Sequence, residues 1–281
     1  MRTSAGVLTF RIALILSALL AAAAAAGLAQ LLLRPEQAAA LGGLAANRWW
    51  FSYLDAGSTP AIAGLWRIAA AVAAAVIGIV AALRAHSLYD KSTSPILPFL
   101  ILFFFSLSLE GLRAGTALLF ASDGSIDASI VVTRVMYWGR FVGLLALLVA
   151  GLYCIDMKYR RFRVLAGVVF LVSFAVAAYI PVDRTVFLAQ MTWKLGDEQG
   201  VWFVNLMIGV LVLLTSAGGA LIRRDRRLLW LAGGMAFLLA SREILFFSVS
   251  PFVLAGGLVS LTAGAAVCLW VLAVVYRKPG E

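Results

Sequence analysis

The sequence predicts an all-α, polytopic transmembrane helical bundle of eight spans, or seven if the first run is a cleaved signal peptide. Three observations predict it. Apolar runs long enough to cross a bilayer as helices, about 20 residues each, recur along the 281-residue chain. The chain is 63% hydrophobic and 13% charged, whereas a soluble domain carries about 25% charged residues, so most of it must be solvated by lipid or by other helices. Lys and Arg gather in alternate loops, as a topology signal does. The length fits a single bundle over residues 1–281, with no room for a sizeable soluble domain.

The first run goes from about Val7 to Leu33. Arg2 and Arg11 precede its core, and Ala21 to Ala26 form an all-alanine tract, which is also the shape of a signal peptide. Its continuation through Leu31, Leu32 and Leu33 favours a retained helix. A loop from Arg34 to Pro60 follows, with an aromatic cluster from Asn47 to Tyr53 suited to the headgroup level. The second span is about Ala61 to Leu83, and a short loop from Arg84 to Ser94 holds His86. Pro95 and Pro98 mark entry to the third span, Leu97 to Phe120, since proline is tolerated at a helix start. Beyond the acidic turn 121–127, the fourth span is about Ala128 to Tyr153 and the fifth Val164 to Ile180. In the following loop, Val182 to Gly200, the residues Phe187, Leu188, Met191 and Leu195 recur at helical spacing and predict a short surface-lying helix. The sixth span is about Val201 to Ile222, the seventh Leu228 to Ser248, and the eighth runs from Pro251 to near Tyr276.

The loops 84–94, 156–163 and 223–227, with Arg2, Arg277 and Lys278, place thirteen basic residues on one face. The other face carries four: Arg34, Arg48, Arg184 and Lys194. The richer face is expected in the cytoplasm, with both termini there in the eight-span form. The alanine-rich, basic-looped style suggests a bacterial cytoplasmic (inner) membrane. The net charge of +10 therefore reads as a topology signal, and no nucleic-acid partner is expected.

Seven charges lie inside the spans: Arg67, Glu110, Arg113, Arg134, Arg140, Arg242 and Glu243. At 1.5 Å per residue, Glu110 and Arg140 are about 15–18 Å from the outer ends of their helices, and the other five about 7–10 Å. None lies in the cytoplasmic half. Charge at this depth is costly and is by default a sign of function. Ser106, Glu110 and Arg113 share one helical face. Arg134 and Arg140 point about 120° apart, so Arg140 is the expected inward partner of Glu110, while Arg134, and Arg67 near its helix end, can snorkel. Arg242 and Glu243, about 100° apart, should not both enter one narrow seam.

Two carboxylates can match only two of the five arginines. The surplus suits a phosphate or carboxylate, which Arg holds bidentately. The leading expectation is thus a protein that binds or transports an anionic amphiphile or lipid-linked substrate, reached from the outer leaflet. Its ligand-binding residues are Glu110, Arg113, Arg140, Arg242, Glu243, Arg134, Arg67, Tyr137 and Asn205, with Arg113 free to hold the headgroup. The rival expectation is a sensor or membrane-complex assembly subunit whose charges only hold helices together. A membrane enzyme on a lipid-linked substrate ranks third: no Ser-His or Cys-His pairing lies within the membrane, and no catalytic residue is assigned. No metal or cofactor is expected, because a single histidine stands without a Cys or carboxylate pair nearby, and the four lysines lie in loops or the tail, where none can form a retinal Schiff base. Cys154 and Cys268 read as buried thiols. Membrane lipids are the expected surroundings. The small-residue stripe Gly256, Ser260, Gly264 and Cys268 serves either packing within the bundle or a homodimer or partner-subunit contact.

Overall fold

The computed structural model describes residues 4–41, 44, 60–89, 92, 94–155, 162–248 and 250–276. The aromatic cluster at 47–53, most of the basic loop 156–163, and Arg2, Lys91, Arg277 and Lys278 lie outside the described residues. The helices are α1 (Ser4–Leu33), α2 (Pro35–Ala40), α3 (Pro60–Tyr89), α4 (Leu97–Glu110), α5 (Arg113–Ala121), α6 (Ile126–Cys154), α7 (Phe162–Tyr179), α8 (Glu198–Arg223), α9 (Arg226–Phe247) and α10 (Pro251–Val275). A hairpin of β1 (Val182–Leu188) and β2 (Thr192–Leu195) stands between α7 and α8. Among the described residues, eight helical segments are long and apolar enough to cross a membrane, with α4 and α5 together forming the third.

Local chemistry sets the helix ends. Ser125 accepts from the Ala128 amide at the start of α6, Asp197 from Gly200 at the start of α8, and Asp225 from Arg227 at the start of α9; each satisfies an amide that the first turn leaves without a helical partner. Prolines begin α2, α3 and α10, where a missing N–H costs nothing.

Helix neighbours close into a ring: α3 packs on α4, α4 on α6, α6 on α8, α8 on α9, α9 on α10, and α10 back on α3. The main core fills this ring, from Phe99, Phe103 and Phe104 of α4 to Leu231 and Leu238 of α9 and Leu261 of α10. Outside it, α7 leans on α6, and α1 packs on α3, α4 and α5. The outward faces of α7 and α8 carry exposed Leu171, Phe174, Phe203 and Leu214, the surface that lipid solvates and water does not.

Within the alanine tract of α1, Ala21 and Ala24 are buried, and Gly27 lies against Ala114 and Leu118. Ser108 of α4 donates to Ser17 of α1 at 3.0 Å. This run is packed as a span of the bundle, and its small residues permit the close approach.

Three expectations are corrected. His86 is not in a loop: α3 runs on to Tyr89, and the imidazole stacks on Phe10 of α1 with ring centroids 3.6 Å apart. The third span is interrupted. Gly111, Leu112 and Ala114 donate to carbonyls three residues back, a tight 3₁₀ turn between α4 and α5. The surface helix expected after the fifth span is instead the hairpin, with Phe187 opposite Trp193 and Leu188 opposite Thr192. β-branched Val182, Thr185, Val186 and Thr192 favour extended backbone, and Met191, at φ 59°, turns the chain. Four apolar residues at helical spacing fit a hairpin equally well when both its faces are covered. Here Phe187, Leu188, Met191, Trp193 and Leu195 are all buried. Phe187 stacks on Phe120 of α5, and the Trp193 indole N–H donates to Ser129 of α6 at 2.8 Å. The hairpin is inserted into the bundle, not laid upon it.

Candidate functional site: a buried guanidinium–carboxylate network

The 3₁₀ turn places the first components. At about three residues per turn, residues i and i+3 eclipse, so Arg113 stands directly beyond Glu110. Its Nη2 donates to Glu110 Oε2 at 3.0 Å. The other Glu110 oxygen accepts from Arg242 Nε of α9 at 2.9 Å. Arg140 of α6 approaches that oxygen with Nη1 at 3.8 Å, an ion pair without a hydrogen bond, and donates through Nη2 to Glu243 Oε1 of α9 at 2.5 Å.

Backbone carbonyls complete the network. Arg113 Nη1 donates to Leu245 O at 3.0 Å and Arg242 Nη2 to Gly139 O at 3.2 Å. Arg67 of α3 donates to Ser248 O at 2.7 Å and Phe247 O at 3.1 Å. Arg67 and Arg113 therefore serve the C-terminal carbonyls of α9, which would otherwise lack donors at membrane depth, and their charge complements the helix dipole. The Phe246 ring lies 3.8 Å from the Arg140 guanidinium carbon and 4.4 Å from that of Arg113, within cation–π range. Tyr137 meets Phe246 edge-on at 5.7 Å, and with Leu195 of the hairpin these residues share a small apolar cluster over the network.

Close packing makes this possible. A side chain at Gly139 would collide with Leu109 of α4, and one at Gly143 with Ser106 and with Arg242 Nη1. These glycines on α6 clear the space through which α9 delivers Arg242.

Of the nine residues picked from sequence, Glu110, Arg113, Arg140, Arg242 and Glu243 come together, with Tyr137 beside them. Arg67 does not snorkel: it is fully buried as a cap of α9. Arg134 is exposed and apart from the network, as its orientation suggested. Asn205 is buried on α8, and its Oδ1 has no hydrogen-bond partner among the described residues. Arg113 is not free for a headgroup, because Glu110 and Leu245 O hold it within the core. Arg242 and Glu243 both join the network despite their 100° offset, since Glu110 and Arg140 meet them from different helices. Phe246, Gly139, Gly143 and the α9 carbonyls escaped sequence reasoning. Only the four-residue spacing of Gly139 and Gly143 beside Arg140 signalled a close approach.

The network holds three guanidiniums and two carboxylates. Among the described residues, Nε of Arg113, Nε and Nη1 of Arg140 and Nη1 of Arg242 are buried and donate to no acceptor. Exposure is uneven: the Glu110 side chain is 4% exposed and Glu243 34%.

No family model and no curated protein matches the chain. Fold and site together define the class: a multi-span integral membrane helical protein with a largely buried ion network among its helices.

Proposed function

We propose that the protein binds, and in doing so transports or senses, an anionic amphiphile or lipid-linked substrate whose phosphate or carboxylate engages the network at Arg140. One observation carries this reading: three guanidiniums face two carboxylates in a buried site, and four of their N–H-bearing nitrogens lack acceptors among the described residues. Each such buried donor costs about 1–3 kcal/mol, and an added anion would answer both the charge and the donors. In purified protein, the melting temperature should rise when phosphatidylglycerol replaces part of a phosphatidylcholine micelle, by mass action on the folded state. Arg140→Gln should remove that rise. An unchanged melt in phosphatidylglycerol would exclude the reading.

A second reading has its own support. Each arginine of the network donates to at least one protein acceptor, as expected where charges only lock helices of a sensor or assembly subunit. Ser260 and Gly264 of the small-residue stripe face α9, with Ser260 donating to Phe237 O at 3.3 Å and Gly264 against Gly234. Gly256 alone remains outward for a partner subunit or second copy.

The basic-residue bias supports a cytoplasmic position for both termini and an outer-half position for the network, in a bacterial inner membrane. Cys154 and Cys268 are buried and unlinked, so introduced thiols report cleanly. Ser122→Cys in the acidic turn should react with an impermeant maleimide on intact cells, and Arg227→Cys should react only after lysis. The reverse pattern would invert the orientation and place the network in the cytoplasmic half.

A further inference from the structure

The two carboxylates of the network are not equivalent, and their difference suggests how a ligand enters. Glu110 is clamped by Arg113 and Arg242, both fully buried, and cannot leave without separating α4 and α5 from α9. Among the described residues Glu243 makes a single hydrogen bond, to Arg140, and a third of its side chain is exposed. Arg140 is itself nearly fully buried, yet its Nε and Nη1 have no hydrogen-bond acceptor among the described residues. Phe246 covers the face of its guanidinium, which leaves the in-plane N–H edge as its donor surface. A carboxylate or phosphate can take two N–H groups of such an edge at once; Glu243 takes one.

The surface leading to Glu243 also differs from the rest of α9. Gly233, Ala236, Ala240 and Glu243 follow at spacings of three, four and three residues, so they form one stripe. All four are partly or fully exposed, and a Cβ at Gly233 would meet nothing within 4 Å. The stripe is an exposed track of small residues that ends at Glu243, the more exposed of the network's two carboxylates.

We infer that Glu243 is a displaceable internal stand-in for the ligand: the acidic headgroup of a membrane amphiphile replaces its carboxylate on Arg140 while the acyl chain lies along Gly233, Ala236 and Ala240. This rests on the anion reading given above and adds the entry route, the competing residue and the lipid nature of the ligand. Glu243 turns outward as the headgroup arrives, so Arg140 exchanges a singly bonded carboxylate for an anion that takes two of its N–H groups, and the Glu110 pairs need not be rebuilt.

Phosphatidylglycerol titrated into phosphatidylcholine nanodiscs, followed by the melting temperature, tests the inference. Glu243→Gln removes the competitor, so its melt without phosphatidylglycerol should fall, while the amount of phosphatidylglycerol needed for half the stabilisation should drop by about tenfold, the scale of one charge-assisted hydrogen bond. Ala240→Trp fills the exposed track without touching the network, so it should leave the lipid-free melt unchanged and weaken the response. This variant keeps the inference testable if Glu243→Gln does not fold. A wild-type response that Glu243→Gln leaves unaltered or weakens would overturn the displacement and leave the anion reading standing. A full response to Ala240→Trp would overturn the acyl track. Equal stabilisation by inorganic phosphate alone would overturn the lipid ligand in favour of a free anion. No response in any variant would overturn the anion reading, and this inference with it.

Discussion

Glu110→Gln should be the most damaging single substitution in the bundle, costing about 3–5 kcal/mol, the range for removing one partner of a buried ion pair. Glu110 accepts from Arg113 at 3.0 Å and Arg242 at 2.9 Å and lies within ion-pair distance of Arg140. A neutral amide satisfies at most one of these guanidiniums as acceptor and turns its own N–H groups toward another. The expected readout is loss of monodisperse protein on extraction, or a strongly lowered melting temperature. Second-site changes identify the true partner. Arg242→Gln added to Glu110→Gln removes the charge left stranded and should recover part of the loss. Arg140→Gln added instead should recover less, because Arg140 keeps Glu243 as its hydrogen-bonded partner. Better rescue by Arg140→Gln would mean that the midplane pair suggested by sequence depth, and not the Arg242 pair, holds Glu110.

Gly143→Ala should be nearly as disruptive, although it adds only one methyl group. Its Cβ would sit 2.5 Å from Arg242 Nη1 and against Ser106 Oγ, and both side chains are buried. Overpacking of this kind costs about 1–3 kcal/mol, and here the atom displaced belongs to the guanidinium whose Nε holds Glu110, so the loss should lie at or above the top of that range. Gly256→Ala is the internal control. Nothing lies within 4 Å of its Cβ, and alanine has the better helix propensity, so its melt should match or slightly exceed wild type. If Gly143→Ala and Gly256→Ala melt alike, α6 and α9 are not as close as described.

Much of the architecture was legible because it is local. A run of twenty apolar residues is read by summation along the chain, and the prolines and aspartates at helix ends act on amides one to three residues away. The spans were placed well on that basis, although α3 extends beyond Leu83 to include His86, because a helix can continue past its apolar stretch. The hairpin was misread because residues 187, 188, 191 and 195 satisfy a helical spacing that insertion into a bundle makes irrelevant: when both faces of a strand are buried, periodicity carries no signal. The five interacting charges of the network were also legible, since charge inside a span is conspicuous whatever its partners. Their pairing was not. Angles around one helix exclude neighbours from a single narrow seam, but Arg242 and Glu243 are met by Glu110 and Arg140 on two different helices, and long side chains bridge the remaining offset.

The sequence by itself determined that this chain dissolves in a membrane, that it holds eight apolar runs long enough to span one, and that five arginines and two glutamates lie within those runs. These follow from hydropathy and charge summed over consecutive residues. Only the tertiary structure decided that Arg67 caps α9, that Arg113 is locked within the core, that Glu110 is held chiefly by Arg242, and that Glu243 is the carboxylate near the surface. Ion pairs and hydrogen bonds depend on distances of a few ångströms between atoms on different helices. Those distances are set by how each helix is rotated and how closely glycines such as Gly143 let it approach, neither of which is written in the order of residues along one span.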